Sequence, residues 1–190
     1  MPTTMLTTHY FAYGSDMSFR QIRQRLLDAE IQLEEECRSS ARLLDYELRF
    51  AKTTPHNPAI GLASIHPAKG SAVEGVLYEL PATAIAVLDS CEGIAEGLYK
   101  RVTLPVESES FGTIQAQVYL PGDGQTAEGL KPSRNHLYRL LAAEKFLSPE
   151  YFAVLKHTES IKVAVDEDGL PFGPGTPIPT KPFLAKKAPK

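Results

Sequence analysis

The chain is expected to fold as α+β, and three features of the sequence lead there. Segments in which apolar and polar residues alternate, the period of a half-buried strand, recur between residues 9 and 120. Segments with apolar residues three and four apart, the period of a helix, are set apart from them. Two of the strand segments, 98–106 and 112–120, flank Phe111-Gly112 and so read as an antiparallel hairpin.

Taken in order, residues 9–14 are an aromatic, apolar run of strand type that breaks at Gly14-Ser15-Asp16. A helix over 18–27 follows, with Phe19, Ile22 and Leu26 on one face and Arg20, Arg23 and Arg25 between them. Glu34-Glu35-Glu36 reads as a solvated face. From Ala41 the period changes: Leu44, Tyr46, Leu48 and Phe50 alternate with Asp45, Glu47 and Arg49. Thr53 to Pro58 is a loop, and 61–65 is a short strand. Pro67-Ala68-Lys69-Gly70 reads as a turn and 73–80 as a further strand. Pro81 suits the first turn of a helix that carries Ile85 and Leu88 and ends at Gly93. After the hairpin and a glycine-rich loop to residue 131, Pro132-Ser133 opens a helix with Leu137, Leu140 and Leu141. Ser148-Pro149-Glu150 opens another, with serine as cap and proline at the first helical position.

A chain of 190 residues is one domain by default. The net charge of −3 gives no basic footprint for nucleic acid. Two cysteines, Cys37 and Cys91, form neither a disulfide framework nor a metal quartet and suit a reducing cytoplasm. Met1-Pro2-Thr3-Thr4-Met5 shows no secretory pattern, and no apolar run reaches membrane-spanning length. From residue 171, Pro171, Pro174, Pro177, Pro179, Pro182 and Pro189 mix with glycines and lysines, as in an extended or disordered tail.

The stretch around Gly14 is the first candidate site. A strand, a glycine and a helix in succession leave backbone N–H groups unpaired at the turn, a place suited to an anionic or carbonyl oxygen. Gly14 has no Cβ to keep a ligand away. The same order also opens many α/β proteins that bind nothing there. Other constellations are weak. His9, His56, His66, His136 and His157 lack ligand spacing. Asp166-Glu167-Asp168-Gly169 hints at a calcium loop without its later ligands. There is no nucleophile elbow, P-loop or dinucleotide fingerprint.

His9-Tyr10-Phe11-Ala12-Tyr13-Gly14-Ser15-Asp16 resembles the Y-F-A-Y-G-S-N signature of the γ-glutamylcyclotransferase family, with Asp16 in place of the usual asparagine. The resemblance continues through Ala41 to Phe50, Glu74-Gly75-Val76-Leu77-Tyr78, Gly97-Leu98-Tyr99 and Leu88-Asp89-Ser90-Cys91-Glu92-Gly93. It implies a small, partly closed mixed β-barrel flanked by helices, spanning residues 1–170, with the tail at 171–190 outside it. It implies that Glu92 is the catalytic acid/base and that Tyr10, Phe11, Ala12, Tyr13, Gly14, Ser15, Tyr99 and Tyr119 bind substrate. The activity implied is conversion of a γ-glutamyl amino acid or amine to 5-oxoproline in the cytoplasm, by a monomer or homodimer, with no metal or cofactor required and no nucleic-acid or membrane partner. A non-catalytic binding or regulatory module on the same fold is the alternative. Elementary electrostatics gives Glu92 some independent support: a carboxylate at a helix C-terminus meets the negative end of the dipole, and partial burial there would raise its pKa toward that of a working base. On the residues alone, a surface glutamate before a glycine cap is the competing reading.

Overall fold

The computed structural model of the chain describes residues 6–165 and 167; the tail expected from residue 171 lies outside them. Five strands make a closed barrel: β1 (Thr7–Ala12), β2 (Arg38–Lys52), β3 (Leu62–Pro81), β4 (Tyr99–Ser108) and β5 (Gly112–Pro121). Around the barrel the order is β1-β3-β2-β4-β5. The seams β1–β3, β3–β2, β2–β4 and β4–β5 are antiparallel, and β5 closes on β1 through the parallel pair Tyr10↔Gln117. The β2–β4 seam has two residue pairs, Ala41↔Ser108 and Arg42↔Glu107, and the β5–β1 seam one, so the barrel closes through narrow contacts. Four helices flank it: α1 (Phe19–Leu27), α2 (Ala84–Glu92), α3 (Arg134–Leu141) and α4 (Pro149–Lys156). The expected α+β barrel flanked by helices is the architecture observed.

The core fills the barrel and the space under the helices. Phe11, Ile22, Leu26, Val76, Tyr78, Leu80 and Leu88 are completely or almost completely excluded from solvent. Phe11 of β1 lies so close to β3 that a Cβ on Gly75 would come within 2.3 Å of the Ala12 carbonyl oxygen and 3.0 Å of the Phe11 ring. Helix α4 has the expected serine cap, whose hydroxyl accepts from the Tyr151 N–H at 3.2 Å. The same Ser148 donates through its N–H and its hydroxyl to Glu74 of β3, at 2.6 and 2.8 Å, which ties α4 to the barrel.

Three boundaries differ from the sequence reading. Strand β1 ends at Ala12, and a 3₁₀ turn over Ser15–Met17 stands between it and α1. Residues 61–65 and 73–80 belong to one strand, β3; the expected turn at 67–70 is an irregularity inside it. There the register jumps from Leu44↔Ala72 to Tyr46↔Pro67, Asp45 takes φ 62° and its carboxylate accepts from the Gly70 N–H at 2.8 Å. The turn residues thus form a bulge that bends two paired strands without parting them. Pro81 closes β3 instead of opening α2, which starts at Ala84. At the end of a strand a missing N–H costs as little as it does in a first helical turn.

Candidate active site

The site is built where three ends meet: the C-terminal end of β1 with its 3₁₀ turn, the C-terminal end of α2, and the C-terminal end of β2. Helix α2 stops because Gly93 takes the left-handed conformation, φ 65°, and the Ile94 N–H returns to the Asp89 carbonyl at 3.1 Å. A side chain there would also strike Leu98, whose Cδ1 would lie 2.7 Å from its Cβ. Glu92, the last helical residue, is thereby fixed with its carboxylate in the cleft.

Arg25 of α1 donates to Glu92 Oε1 at 2.6 Å and to Asp16 Oδ1 at 3.0 Å, so one guanidinium holds two carboxylates. Asp16 is buried and also accepts from Gln21 Nε2 at 2.9 Å and from the Tyr10 hydroxyl at 3.1 Å. Every one of these partners donates. A carboxylate, which only accepts, satisfies them all, and this gives a physical reason for aspartate here. The Asp16 main-chain carbonyl accepts from the Tyr78 hydroxyl at 2.7 Å, which fixes the turn to β3.

Burial pushes the Glu92 carboxyl above the ordinary glutamate range; Arg25 draws it back and Asp16 pushes it further up. Arg25 stays charged, because the two carboxylates outweigh the burial that works against it. Burial also raises the phenols of Tyr10, Tyr13, Tyr99 and Tyr119 far above their usual range, so they remain protonated donors. Burial pushes the Cys91 thiol up to about 11, which removes it as a nucleophile at neutral pH.

Of the residues expected to bind substrate, Tyr10, Tyr13, Gly14, Ser15, Tyr99 and Tyr119 line the same cleft as Glu92. Phe11 and Ala12 do not; they sit in the barrel core at 0% and 1% exposure. Tyr13 donates to the Tyr119 carbonyl, and Tyr119 donates to Asp89 Oδ1 at 2.8 Å. These bonds lock the aromatic wall to α2. Gly14 takes φ −113°, outside the left-handed region, and a Cβ on it would only touch Ala63 at 3.5 Å. Neither strain nor packing among the described residues requires glycine there.

The sequence reading gave no place in the site to Gln21, Arg25, Lys52 or Arg139, and it read His136 as ordinary and Glu167 only as part of a calcium-loop hint. Gln21 and Arg25 are four residues apart and flank the Ile22–Leu26 stripe, a spacing that could have marked them as a polar row at the edge of the buried face. Glu167 is buried, accepts from Ser133 Oγ and lies 3.3 Å from Arg139 Nη1, so the calcium-loop hint gives way to a structural contact. His136, read as ordinary, is buried, and its Nε2 accepts from the Ala63 N–H at 2.9 Å. Among the described residues no three His, Cys, Asp or Glu side chains are grouped to hold a metal ion. No helix among them is long and apolar enough to cross a membrane.

Residues 10–140 match the family described as gamma-glutamyl cyclotransferase, AIG2-like. The chain belongs to this family. It is 28% identical to a human gamma-glutamylcyclotransferase over 153 residues, covering 79% of this chain and 78% of the human protein. A mouse gamma-glutamylcyclotransferase is 29% identical over the same length, with the same coverage. A solved gamma-glutamyl cyclotransferase structure superimposes with a TM-score of 0.67 at 25% identity, covering 82% of this chain and 90% of the other. Membership supports the general reaction of the gamma-glutamyl cyclotransferases for this chain.

Proposed function

We propose that the chain cyclises a γ-glutamyl amino acid or amine to 5-oxoproline, releasing the amino acid or amine, with Glu92 as the general acid/base. The observation that carries this reading is the Glu92 carboxylate in the cleft, raised by burial and held at 2.6 Å by Arg25, beside the turn at Gly14.

The substrate brings its own nucleophile, its α-amino nitrogen. That nitrogen attacks the γ-carbonyl carbon, and the carbonyl oxygen takes up negative charge. Glu92 accepts a proton from the attacking nitrogen and gives it to the leaving nitrogen as the carbon–nitrogen bond breaks. The ring lactam and the free amine leave, and no water is consumed. Folding the substrate so that nitrogen and carbonyl meet can supply about 7–11 kcal/mol of the barrier. The N–H groups around Tyr13-Gly14-Ser15 are the donors proposed for the oxyanion. They precede the first hydrogen bond of the turn, from the Met17 N–H to the Gly14 carbonyl at 3.0 Å. The open face of Gly14 fits this role.

The test is 5-oxoproline release from a panel of γ-glutamyl dipeptides, glutathione and ε-γ-glutamyl-lysine. Release from at least one member is expected, and the best member names the leaving group. Binding without release from any member would favour the binding-module alternative.

A further inference from the structure

Lys52 is the last residue of β2 and is 2% exposed, yet it lines the cleft. Its backbone is pinned from both sides. It pairs with Leu62 of β3 and bridges to Thr126, while the next N–H, that of Thr53, donates to the Gln125 carbonyl at 2.8 Å. The side chain therefore starts from the frame of the barrel and not from a loop. It donates to the Thr53 carbonyl at 2.7 Å and lies 4.8 Å from the centre of the Tyr99 ring. It forms no salt bridge among the described residues. Its charge and that of Glu92 attract across the cleft without contact.

A buried ammonium is costly unless it is paired and hydrogen-bonded. A carbonyl and a ring face are partial partners for three N–H donors. The missing partner is an anion, and the space it would occupy is the space of the substrate. The opposite wall already uses its cation, Arg25, on two carboxylates of the protein. Among the described residues Lys52 is thus a buried cation of the cleft wall without a carboxylate bonded to it. Resting on the reading of this cleft as a γ-glutamyl site, we propose that Lys52 binds a carboxylate of the substrate and makes it a determinant of recognition. Two carboxylates offer this chemistry: that of the γ-glutamyl unit and that of a leaving amino acid.

The experiment compares the wild type with Lys52→Met and Lys52→Arg on γ-glutamyl-alanine, which carries both carboxylates, and on γ-glutamyl-ethylamide, which carries only the first. Lys52→Met is expected to raise KM by about ten- to a hundredfold, the range of a lost charge-assisted bond, with a smaller change in kcat. Lys52→Arg is expected to recover part of the loss. An equal rise on both substrates assigns the γ-glutamyl carboxylate; a rise confined to γ-glutamyl-alanine assigns that of the leaving group. An unchanged KM on both, with the wild type active, overturns the proposal and leaves the reaction standing. A wild type inert on both counts against the reaction. Calorimetric binding of γ-glutamyl-alanine to wild type and Lys52→Met then decides for Lys52 alone, a weaker Kd in the variant supporting the proposal and an equal one overturning it.

Discussion

On the α1–α2 wall of the cleft, Arg25 lies between Asp16 and Glu92, and tyrosine and glutamine donors complete the set. On the β2 wall, Lys52 is buried, and its contacts among the described residues are a carbonyl and a ring face. The first wall pairs its charges internally, which holds Glu92 in place, although Arg25 Nε and Gln21 Oε1 are buried there without a hydrogen-bond partner among the described residues. The second has no carboxylate bonded to its cation among the described residues, and the proposed substrate carboxylate completes it. A buried charge cross-bonded by its own chain serves geometry, whereas one left short of partners is suited to a ligand.

The largest effect is expected from breaking the charge-paired wall. Arg25→Met leaves the buried Asp16 carboxylate and the half-buried Glu92 carboxylate without their shared cation, and a loss of about 3–5 kcal/mol is expected. One carboxyl will take up a proton in the folded state that it would not hold unfolded. Stability of the variant should therefore fall as pH rises through neutrality. Urea unfolding at pH 5 and pH 8 checks both size and slope, and a variant as stable as wild type at both would contradict the account.

The incomplete wall should respond in the opposite sense. Burial pulls the Lys52 ammonium down to about 8 from its ordinary value of 10.5. Below pH 8 the folded protein carries a charge that burial disfavours. Between there and the ordinary value the unfolded chain binds more protons, so wild-type stability rises with pH across that window. Lys52→Met removes the cost and should be more stable than wild type at pH 7 by about 1–3 kcal/mol, an advantage that shrinks above pH 8. Thermal melts at pH 7 and pH 9.5 check it. Gain of stability with loss of substrate affinity marks a residue kept for function. In wild type, KM should also rise above about pH 8 as the ammonium loses its proton.

A smaller effect sharpens the comparison within the charge-paired wall. Asp16 pushes the Glu92 carboxyl up, and Arg25 divides its charge between them. Asp16→Asn leaves Arg25 to Glu92 alone, so the acid limb of kcat/KM should move to lower pH by about half a unit to one unit. A limb that stays in place or moves upward would mean that Asp16 does not act on Glu92.

The two walls were also unequally legible in the sequence. The strand–glycine–helix break at Gly14 and the glycine after Glu92 are local signals that mark where the elements end, while the role expected of Glu92 came from the family resemblance. The hairpin around Phe111-Gly112 and the serine-capped α4 were local as well. Lys52 was not legible. In sequence it ends an alternating strand and enters a proline-flanked loop, where a lysine is ordinarily solvated. Its burial comes from strands and loops far along the chain, as in the bond from the Ala127 N–H to the Ala51 carbonyl at 2.8 Å. The bulge at Asp45 and Gly70 was missed for a related reason: turn residues signal a bend but not whether paired strands continue through it.

The most direct test of the central claim is the rate of 5-oxoproline formation from γ-glutamyl-alanine by wild type and Glu92→Gln, with folding and substrate binding measured on both. The account predicts turnover by wild type and a loss of at least about 10²–10⁴-fold in the variant, with the fold intact and binding retained. Turnover by Glu92→Gln at the wild-type rate would contradict it, because the proton would then be moved by another group.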